Sequence, residues 1–322
     1  MTIWLWLGFL ALILFMLAID LGVFHRRAHE VRIREAVVWT IVWIVTSLLF
    51  NVAVYWIYER QWLGINVTEG VSLTGREAAL QFFTGYVIEK SLSLDNIFVF
   101  AVIFTFFGVP GKSQHRVLYW GILGALIMRG AMIAAGTALI QRFDWVIYVF
   151  GGLLLITAIR MMFMSDDTID PDRNFLVRLA RRWYPVSSGF EGEKFFTRVD
   201  GRRAITPLLL VLLVIESSDV LFAVDSVPAV FAVTRDPFIV FTSNVCAILG
   251  LRAMYFVLAG ALRLFRYLKA SLVFVLLYVA VKMLISGHVH IPIQYSLVAI
   301  GLILGIGVTA SLVANARERG VE

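Results

Sequence analysis

The fold is decided by residues 205 to 233, which read ITPLLLVLLVIESSDVLFAVDSVPAVFAV. This run is long enough to cross a bilayer core, because a spanning helix needs about 20 predominantly apolar residues. It also contains Glu216, Asp219 and Asp225, and each such acid costs about 2.5 kcal/mol or more at the centre of a membrane helix. Acids at that cost must meet each other, a cation or water. The run therefore predicts a membrane-spanning helix with an acidic site on one face.

The rest of the chain extends this pattern. The 322 residues are 60% hydrophobic and 16% charged, whereas soluble domains are roughly 25% charged. The other apolar stretches are 3 to 24, 36 to 58, 78 to 107, 117 to 140, 144 to 164, 238 to 260, 268 to 286 and 292 to 314. The sequence therefore predicts an all-α, polytopic membrane protein with about nine transmembrane helices.

The basic residues predict its orientation, because alternate loops carry most of them. These are Arg26, Arg27, Arg32, Arg34, Lys112, Arg116, Arg263, Arg266, Lys269, Arg317 and Arg319, with the Arg-rich segment 165 to 203. The opposite side receives Arg60, Arg76, Arg142 and Arg235. By the positive-inside rule the N-terminus lies outside and the C-terminus in the cytoplasm. Orientation and anionic headgroups also account for the net charge of +6, so nucleic acid is not an expected partner.

The segment 165 to 203 is the one long polar stretch, and it divides the chain. Within it, apolar and basic residues alternate with the pattern of a helix that lies in the cytoplasmic membrane interface. The apolar residues are Phe175, Leu176, Leu179 and Trp183, and the basic ones are Arg178, Arg181 and Arg182. The acidic patch 166 to 172 is interpreted as a solvated loop rather than a calcium site.

Short blocks on the two sides of this segment resemble each other. Gly121-Ile122-Leu123-Gly124 precedes Arg129, and Ala247-Ile248-Leu249-Gly250 precedes Arg252. We interpret helices three to five and six to eight as copies of one three-helix unit. Since three is odd, the copies are inverted in the membrane, an arrangement typical of alternating-access transporters with a site between the repeats.

These features predict five segments. Residues 1–77 hold peripheral helices one and two, and 78–164 form the first repeat. Residues 165–204 are the cytoplasmic loop with its interfacial helix, 205–286 are the second repeat, and 287–322 are helix nine with a cytoplasmic tail.

A second span also carries acids, at Glu89 and Asp95, with Asn96 beside them. Glu89 and Asn96 are seven residues apart and share a helix face, as do Glu216 and Asp219, which are three apart. Pro228 cannot donate a hydrogen bond to the Val224 carbonyl, which predicts a broken helix near Asp225 and Ser226. Carboxylate, amide and freed carbonyl oxygens favour a hard divalent cation such as manganese, magnesium or calcium.

Ion pairing is the alternative interpretation of the same acids. Lys90, Arg129, Arg252 and Lys282 lie in apolar spans and nearly balance the carboxylates, so the charges could simply lock the bundle together. Asp20, near the cytoplasmic end of helix one, fits either interpretation. Both alternatives remain open at this point.

The acid-bearing segments resemble a known family. Ile88 to Asn96 and Glu216 to Ala229 closely resemble the signature blocks of the TerC family. Asp236 to Val240, Thr242 to Asn244 and Leu249 to Phe256 also resemble that family, especially its bacterial Alx branch, and the likeness extends from Ala18 to helix nine. The resemblance implies a metal site made of Glu89, Asp95, Asn96, Glu216, Asp219 and Asp225, with Ser226 and Asn244 as further oxygen ligands.

The resemblance also implies a function. We expect a secondary transporter of the bacterial inner membrane that exports Mn²⁺ as its substrate, without an organic cofactor. The alternatives are an accessory factor that loads metal into exported proteins beside the secretion machinery, and a membrane-bound redox modulator linked to tellurite resistance. The single cysteine, Cys246, disfavours thiol redox chemistry within one chain. An enzyme that uses Asp95 and Asp219 as acid and base is not expected, because no hydrolase motif accompanies them.

Overall fold

The computed structural model describes residues 3–24, 33–65, 73–163, 174–199, 201–258, 267–289 and 291–319. The helices are α1 (Ile3–Phe24), α2 (Ile33–Glu59), α3 (Gly75–Phe107), α4 (Gly111–Arg142), α5 (Val146–Phe163), α6 (Phe175–Trp183), α7 (Pro207–Phe231), α8 (Pro237–Ile248), α9 (Leu251–Leu258), α10 (Leu268–Ile285) and α11 (Ile293–Arg319). A 3₁₀ turn (Trp62–Gly64) follows α2, and strands β1 (Phe196–Val199) and β2 (Arg202–Ile205) precede α7. The acidic patch 166 to 172 and the side chains of Asp20 and Asp95 lie outside the described part.

The predicted all-α, multi-pass membrane fold is confirmed. Each apolar stretch of the sequence coincides with one helix, except that 238 to 260 is divided between α8 and α9. Among the described residues, five helices are long and apolar enough to span a membrane, namely α2, α4, α5, α7 and α11. The bent α8–α9 pair makes up to six if it is counted as one span. The total of nine spans stays a prediction.

The predicted break in α7 at Asp225 and Ser226 is wrong. The helix continues through Pro228 to Phe231, and the Ala232 amide donates to the Pro228 carbonyl at 3.1 Å. A proline so close to the end of a helix removes one hydrogen bond near Val224 and interrupts little that follows. The break lies between α8 and α9 instead, where the helix axes bend by 40°.

Gly250 is the residue that permits this bend. Its φ of +82° is a left-handed conformation that side chains disfavour, and a Cβ at this position would lie 2.7 Å from Cβ of Trp43. Leu249 before it has ψ of 131°, so the chain leaves the helical conformation there. Glycine is therefore required both by the backbone and by the close approach of α2.

Helix packing follows an exchange pattern. α3 packs on α8 and α4 packs on α7, while α3 and α7 contact each other, as do α5 and α10. Suppose that α3 corresponds to α7, α4 to the α8–α9 pair, and α5 to α10. The contact of α3 with α8 then corresponds to that of α7 with α4. The contacts of α3 with α7 and of α5 with α10 correspond to themselves. This pattern is what two related three-helix units would give. The exact segment bounds and the inverted direction remain predictions.

The polar loop folds around the predicted interfacial helix. α6 confirms the predicted helix; it buries Val177 on the side of α7 and leaves Phe175, Leu179 and Trp183 of the predicted apolar face exposed, while its place in the membrane interface stays a prediction. The antiparallel hairpin of β1 and β2, which the sequence did not predict, follows it. Asn174 accepts from the amides of Leu176 and Val177 at 3.0 and 3.3 Å, and its Nδ2 donates to Ser217 Oγ at 2.6 Å. The loop is thus attached to α7 beside the acid-bearing turn.

Candidate cation site

A single arginine organises the acids in the centre of the bundle. Arg129 on α4 is 1% exposed, and its Nε and Nη2 donate to Oδ2 and Oδ1 of Asp219 at 3.2 and 3.1 Å. Nη1 donates to Glu89 Oε1 and, at 3.2 Å, to Ser226 Oγ. In the amide orientation that satisfies its hydrogen bonds, Asn96 Oδ1 accepts from Nη2 at 3.2 Å. Four residues predicted to hold a cation therefore converge on one guanidinium.

These residues come from both proposed repeats. Glu89 and Asn96 lie on α3, whereas Asp219 and Ser226 lie on α7. Seven residues separate the members of each pair, which places them on one face of their helix, about two turns apart. The contact between α3 and α7 brings the two faces together, and α4 supplies Arg129. The sequence could place residues on faces, but the packing decides that these faces meet.

The charges of this cluster do not cancel. Glu89 is 0% exposed and Asp219 is 3% exposed, so both carboxylates are removed from water. Two carboxylates and one guanidinium give a formal charge of −2 + 1 = −1. Buried charge without a partner is expensive in a low-dielectric interior. These three side chains alone leave one negative charge, and the buried guanidinium of Arg252, which lines the same cavity as Asp219, lies beside them.

Several buried polar atoms near these helices make no hydrogen bond within the described part of the chain. They include Glu89 Oε2, Ser93 Oγ and both amide atoms of Asn244. Glu89, Ser93 and Asn96 are spaced by four and three residues and lie on the same face of α3. Buried polar atoms are nearly always hydrogen-bonded, so such oxygens stand out as potential metal ligands. This donor chemistry fits a hard divalent cation.

The other two acids of α7 form no hydrogen bond or ion pair with Arg129 in the described part of the chain. Glu216 is half-buried and packs against Gly124 on α4, where an added Cβ would overlap its carboxylate. Asp225 Oδ1 accepts a hydrogen bond from Thr157 Oγ1 of α5 at 2.9 Å. The three acids of α7 therefore face two different neighbouring helices.

A small cavity lies beside the cluster. Asp219 and the buried Arg252 line it together with apolar side chains and Gly121, and it has room for about one water molecule. It lies between α4, α7 and α9, next to the side of Asp219 that α4 approaches. Small residues on α4 thus leave space next to the acids.

Lys90 has a different environment from the predicted ion pair. Its Nζ donates to the carbonyl oxygens of Ala247 at 3.1 Å and Leu249 at 3.4 Å. These carbonyls lie at the break between α8 and α9, where the helix end carries partial negative charge. Lys282 is half-buried on α10 and forms no ion pair with any side chain that the structure describes. Lys90 therefore stabilises a helix end rather than an acid.

Ion pairing accounts for part of the arrangement. Within the described residues, no group of three or more His, Cys, Asp or Glu side chains is close enough to hold a metal ion. Glu89 and Asp219 bind Arg129, as the ion-pair alternative expects. The position of Gly124 opposite Glu216 was not predicted, because a glycine alone does not show which helix it faces.

Comparison with known proteins finds one matching family and several similar relatives. The sequence profile described as "Integral membrane protein TerC family" matches residues 74–319. The chain is 50% identical over 311 residues to "Uncharacterized membrane protein STKORF319" of Myxococcus xanthus, covering 97% of this chain and 92% of that protein. It is 46% identical over 303 residues to "Putative membrane-bound redox modulator Alx" of Escherichia coli K12, covering 94% and 91%. No solved structure matches the chain.

Proposed function

The chain belongs to the TerC family of integral membrane proteins, and on that premise we propose that it is a secondary transporter that exports divalent metal, most favourably Mn²⁺. The observation that carries the proposal is the convergence of buried oxygen donors from α3 and α7 at one place in the bundle. In this proposal the site lies in the bacterial inner membrane, with the N-terminus outside and the C-terminus in the cytoplasm.

The location of the donors supports transport. Glu89 and Asn96 belong to one three-helix unit and Asp219 and Ser226 to the other, so relative movement of the units would alter the site. Alternating-access transporters place their substrate sites between two such repeats. The donors are carboxylate, amide and hydroxyl oxygens, which suit Mn²⁺ better than a copper or zinc ion that prefers sulfur and imidazole. Movement of the units would then expose the cation first to one side and then to the other.

The names of the relatives suggest a second function. The Escherichia coli relative is named for redox modulation. In this chain Cys246 is a buried thiol of α8, and a single thiol cannot form a disulfide within one chain. A role in metallation of exported proteins would instead need a protein contact, for which the α6 and hairpin segment is the exposed candidate. Both alternatives predict that metal flux through the membrane does not depend on Asp219.

Radioactive Mn²⁺ efflux tests the proposal. Cells loaded with ⁵⁴Mn²⁺ would express the wild type, Glu89→Gln or Asp219→Asn at equal membrane abundance, with Mg²⁺ and Zn²⁺ as competitors. The matched control is Asp144→Asn, because Asp144 has a 93% exposed side chain and contacts Arg235 at the surface. We expect both cluster variants to abolish efflux and the control to retain it. Efflux that is the same in all four strains would overturn the proposal.

A further inference from the structure

Arg129 has no assigned part in cation export, yet it contacts most of the oxygens that the export proposal assigns to the cation. Resting on the proposed function, we propose that Arg129 is an internal counter-ion that competes with the transported divalent cation for Asp219 and Glu89. The guanidinium and the cation would bind these acids in turn. Glu216 is then the acid that receives Arg129 when the cation displaces it.

Geometry makes the two occupants mutually exclusive. Both oxygens of Asp219 lie 3.1 and 3.2 Å from nitrogens of Arg129, so the guanidinium covers the carboxylate in a bidentate manner. A hard divalent cation holds its oxygen ligands at about 2.0 to 2.6 Å, so a cation bound to both carboxylates would lie directly against the guanidinium. Ser226 Oγ and Glu89 Oε1 also accept from Arg129. A cation that uses these oxygens requires Arg129 to leave.

Charge favours the exchange. Arginine remains protonated in proteins, so displacement cannot occur by loss of its proton. The two carboxylates with Arg129 have a formal charge of −2 + 1 = −1, and with a divalent cation in its place they have −2 + 2 = 0. A guanidinium and a divalent cation side by side would repel strongly in this buried environment. For the two carboxylates and their occupant alone, exchange therefore changes the formal charge from −1 to 0.

Glu216 is placed to receive the displaced guanidinium. It lies three residues before Asp219 on α7, at a Cβ separation of about 5 to 6 Å on the same helix face. Its carboxylate packs on Gly124 of α4, five residues before Arg129. Long helical side chains lean towards the N-terminus of their helix, which for Arg129 is the direction of Gly124. Glu216 has no hydrogen-bond or ion-pair partner among the described residues, so it can accept Arg129 without losing another contact.

Equilibrium binding of Mn²⁺ to a double-mutant cycle tests the proposal. Purified full-length wild type, Arg129→Gln, Glu216→Gln and the double variant would be compared in lipid nanodiscs of one composition. We expect Arg129→Gln to bind Mn²⁺ about 10-fold more tightly, because the internal competitor is gone, and to lose net efflux because nothing replaces the cation at release. Glu216→Gln should weaken binding about 10-fold in the wild type and less than about 2-fold beside Arg129→Gln.

Two results would overturn the proposal. Unchanged or weaker binding in Arg129→Gln would show that Arg129 does not compete with the cation. An equal loss from Glu216→Gln in both backgrounds would show that Glu216 contacts the cation directly and does not act through Arg129. If Arg129→Gln fails to fold, Arg129→Lys serves instead, because lysine keeps the charge but cannot form the bidentate pair, and we expect tighter Mn²⁺ binding for it too.

The outcome is separable from that of the export proposal. If the wild type neither binds nor exports Mn²⁺ and Asp219→Asn changes nothing, export itself is wrong. If export depends on Asp219 while Arg129→Gln and Arg129→Lys bind Mn²⁺ no more tightly than the wild type, only the counter-ion role is wrong.

Discussion

Arg129 and Lys90 are both cations in the interior of the helix bundle, but they are neutralised in different ways. Arg129 is surrounded by side chains of α3 and α7, which include two carboxylates. Lys90 binds backbone carbonyls at the end of α8. Carboxylate side chains can change partner by rotation, whereas carbonyls at a helix break are fixed by the backbone. The first region therefore has the chemistry of an exchangeable site, and the second has that of a structural support.

Removal of an acid from the first region should have the largest effect. We expect Asp219→Ala to lower the free energy of unfolding by about 3 to 5 kcal/mol, because Arg129 keeps its buried charge and loses its bidentate partner. Thermal unfolding in one nanodisc composition measures this against Asp225→Ala. Asp225 is half-buried and loses a hydrogen bond from Thr157 and the attraction of Arg160, so about 1 to 2 kcal/mol is expected there. Equal losses would remove the distinction between the Arg129 cluster and its neighbours.

Gly124→Ala should have an intermediate effect. The new methyl group would overlap the Glu216 carboxylate, which lies at the end of a flexible side chain and can rotate away, so a loss of about 1 to 1.5 kcal/mol is expected. The matched control is Gly152→Ala on α5, where a Cβ has no atom within 4 Å. The control should be neutral or stabilising by up to about 1 kcal/mol, since alanine favours the helix. Similar unfolding temperatures for both variants would contradict the close packing of Glu216 on α4.

Lys90→Met should have the smallest and most local effect. The substitution removes the donor to Ala247 and Leu249 but leaves no buried charge, so a loss of about 1 kcal/mol is expected. Amide hydrogen exchange should quicken at residues 247 to 251 and stay unchanged in α4 and α7. Lys282→Met, on α10, is the control and should not alter exchange at the break. Faster exchange around Arg129 would show that the two regions are coupled.

The fold could be predicted from sequence largely because lipid imposes a length on every apolar stretch. The stretches 117 to 140 and 205 to 233 lie within or close to α4 and α7, and the interfacial helix was visible in its pattern of apolar and basic residues. The break was assigned to Pro228 because a missing amide is visible in a sequence. The left-handed conformation of Gly250 is not visible in a sequence, since glycine also occurs inside membrane helices for packing.

The site was predictable in part. Helical spacing placed Glu89 with Asn96 on one face, and the high energetic cost of buried acids singled out Asp219. Spacing could not show that Arg129 reaches both acids or that Glu216 turns towards Gly124, because these contacts depend on which helices are neighbours. The environment of Lys90 was beyond prediction for the same reason, since its partners are carbonyls of a break that the sequence had not located.

The Arg129 cluster also affects how the chain is made. Arg129 is 40 residues from Glu89 and 90 residues from Asp219, and α3 and α4 are joined by residues 108 to 110 alone. A growing chain therefore contains both Glu89 and Arg129 once α3 and α4 have been synthesised, long before α7 follows. Each charge alone would oppose entry into lipid, whereas the pair can enter as a neutral hairpin. We therefore expect the ion pair to ease membrane insertion before α7 is present to complete the cluster.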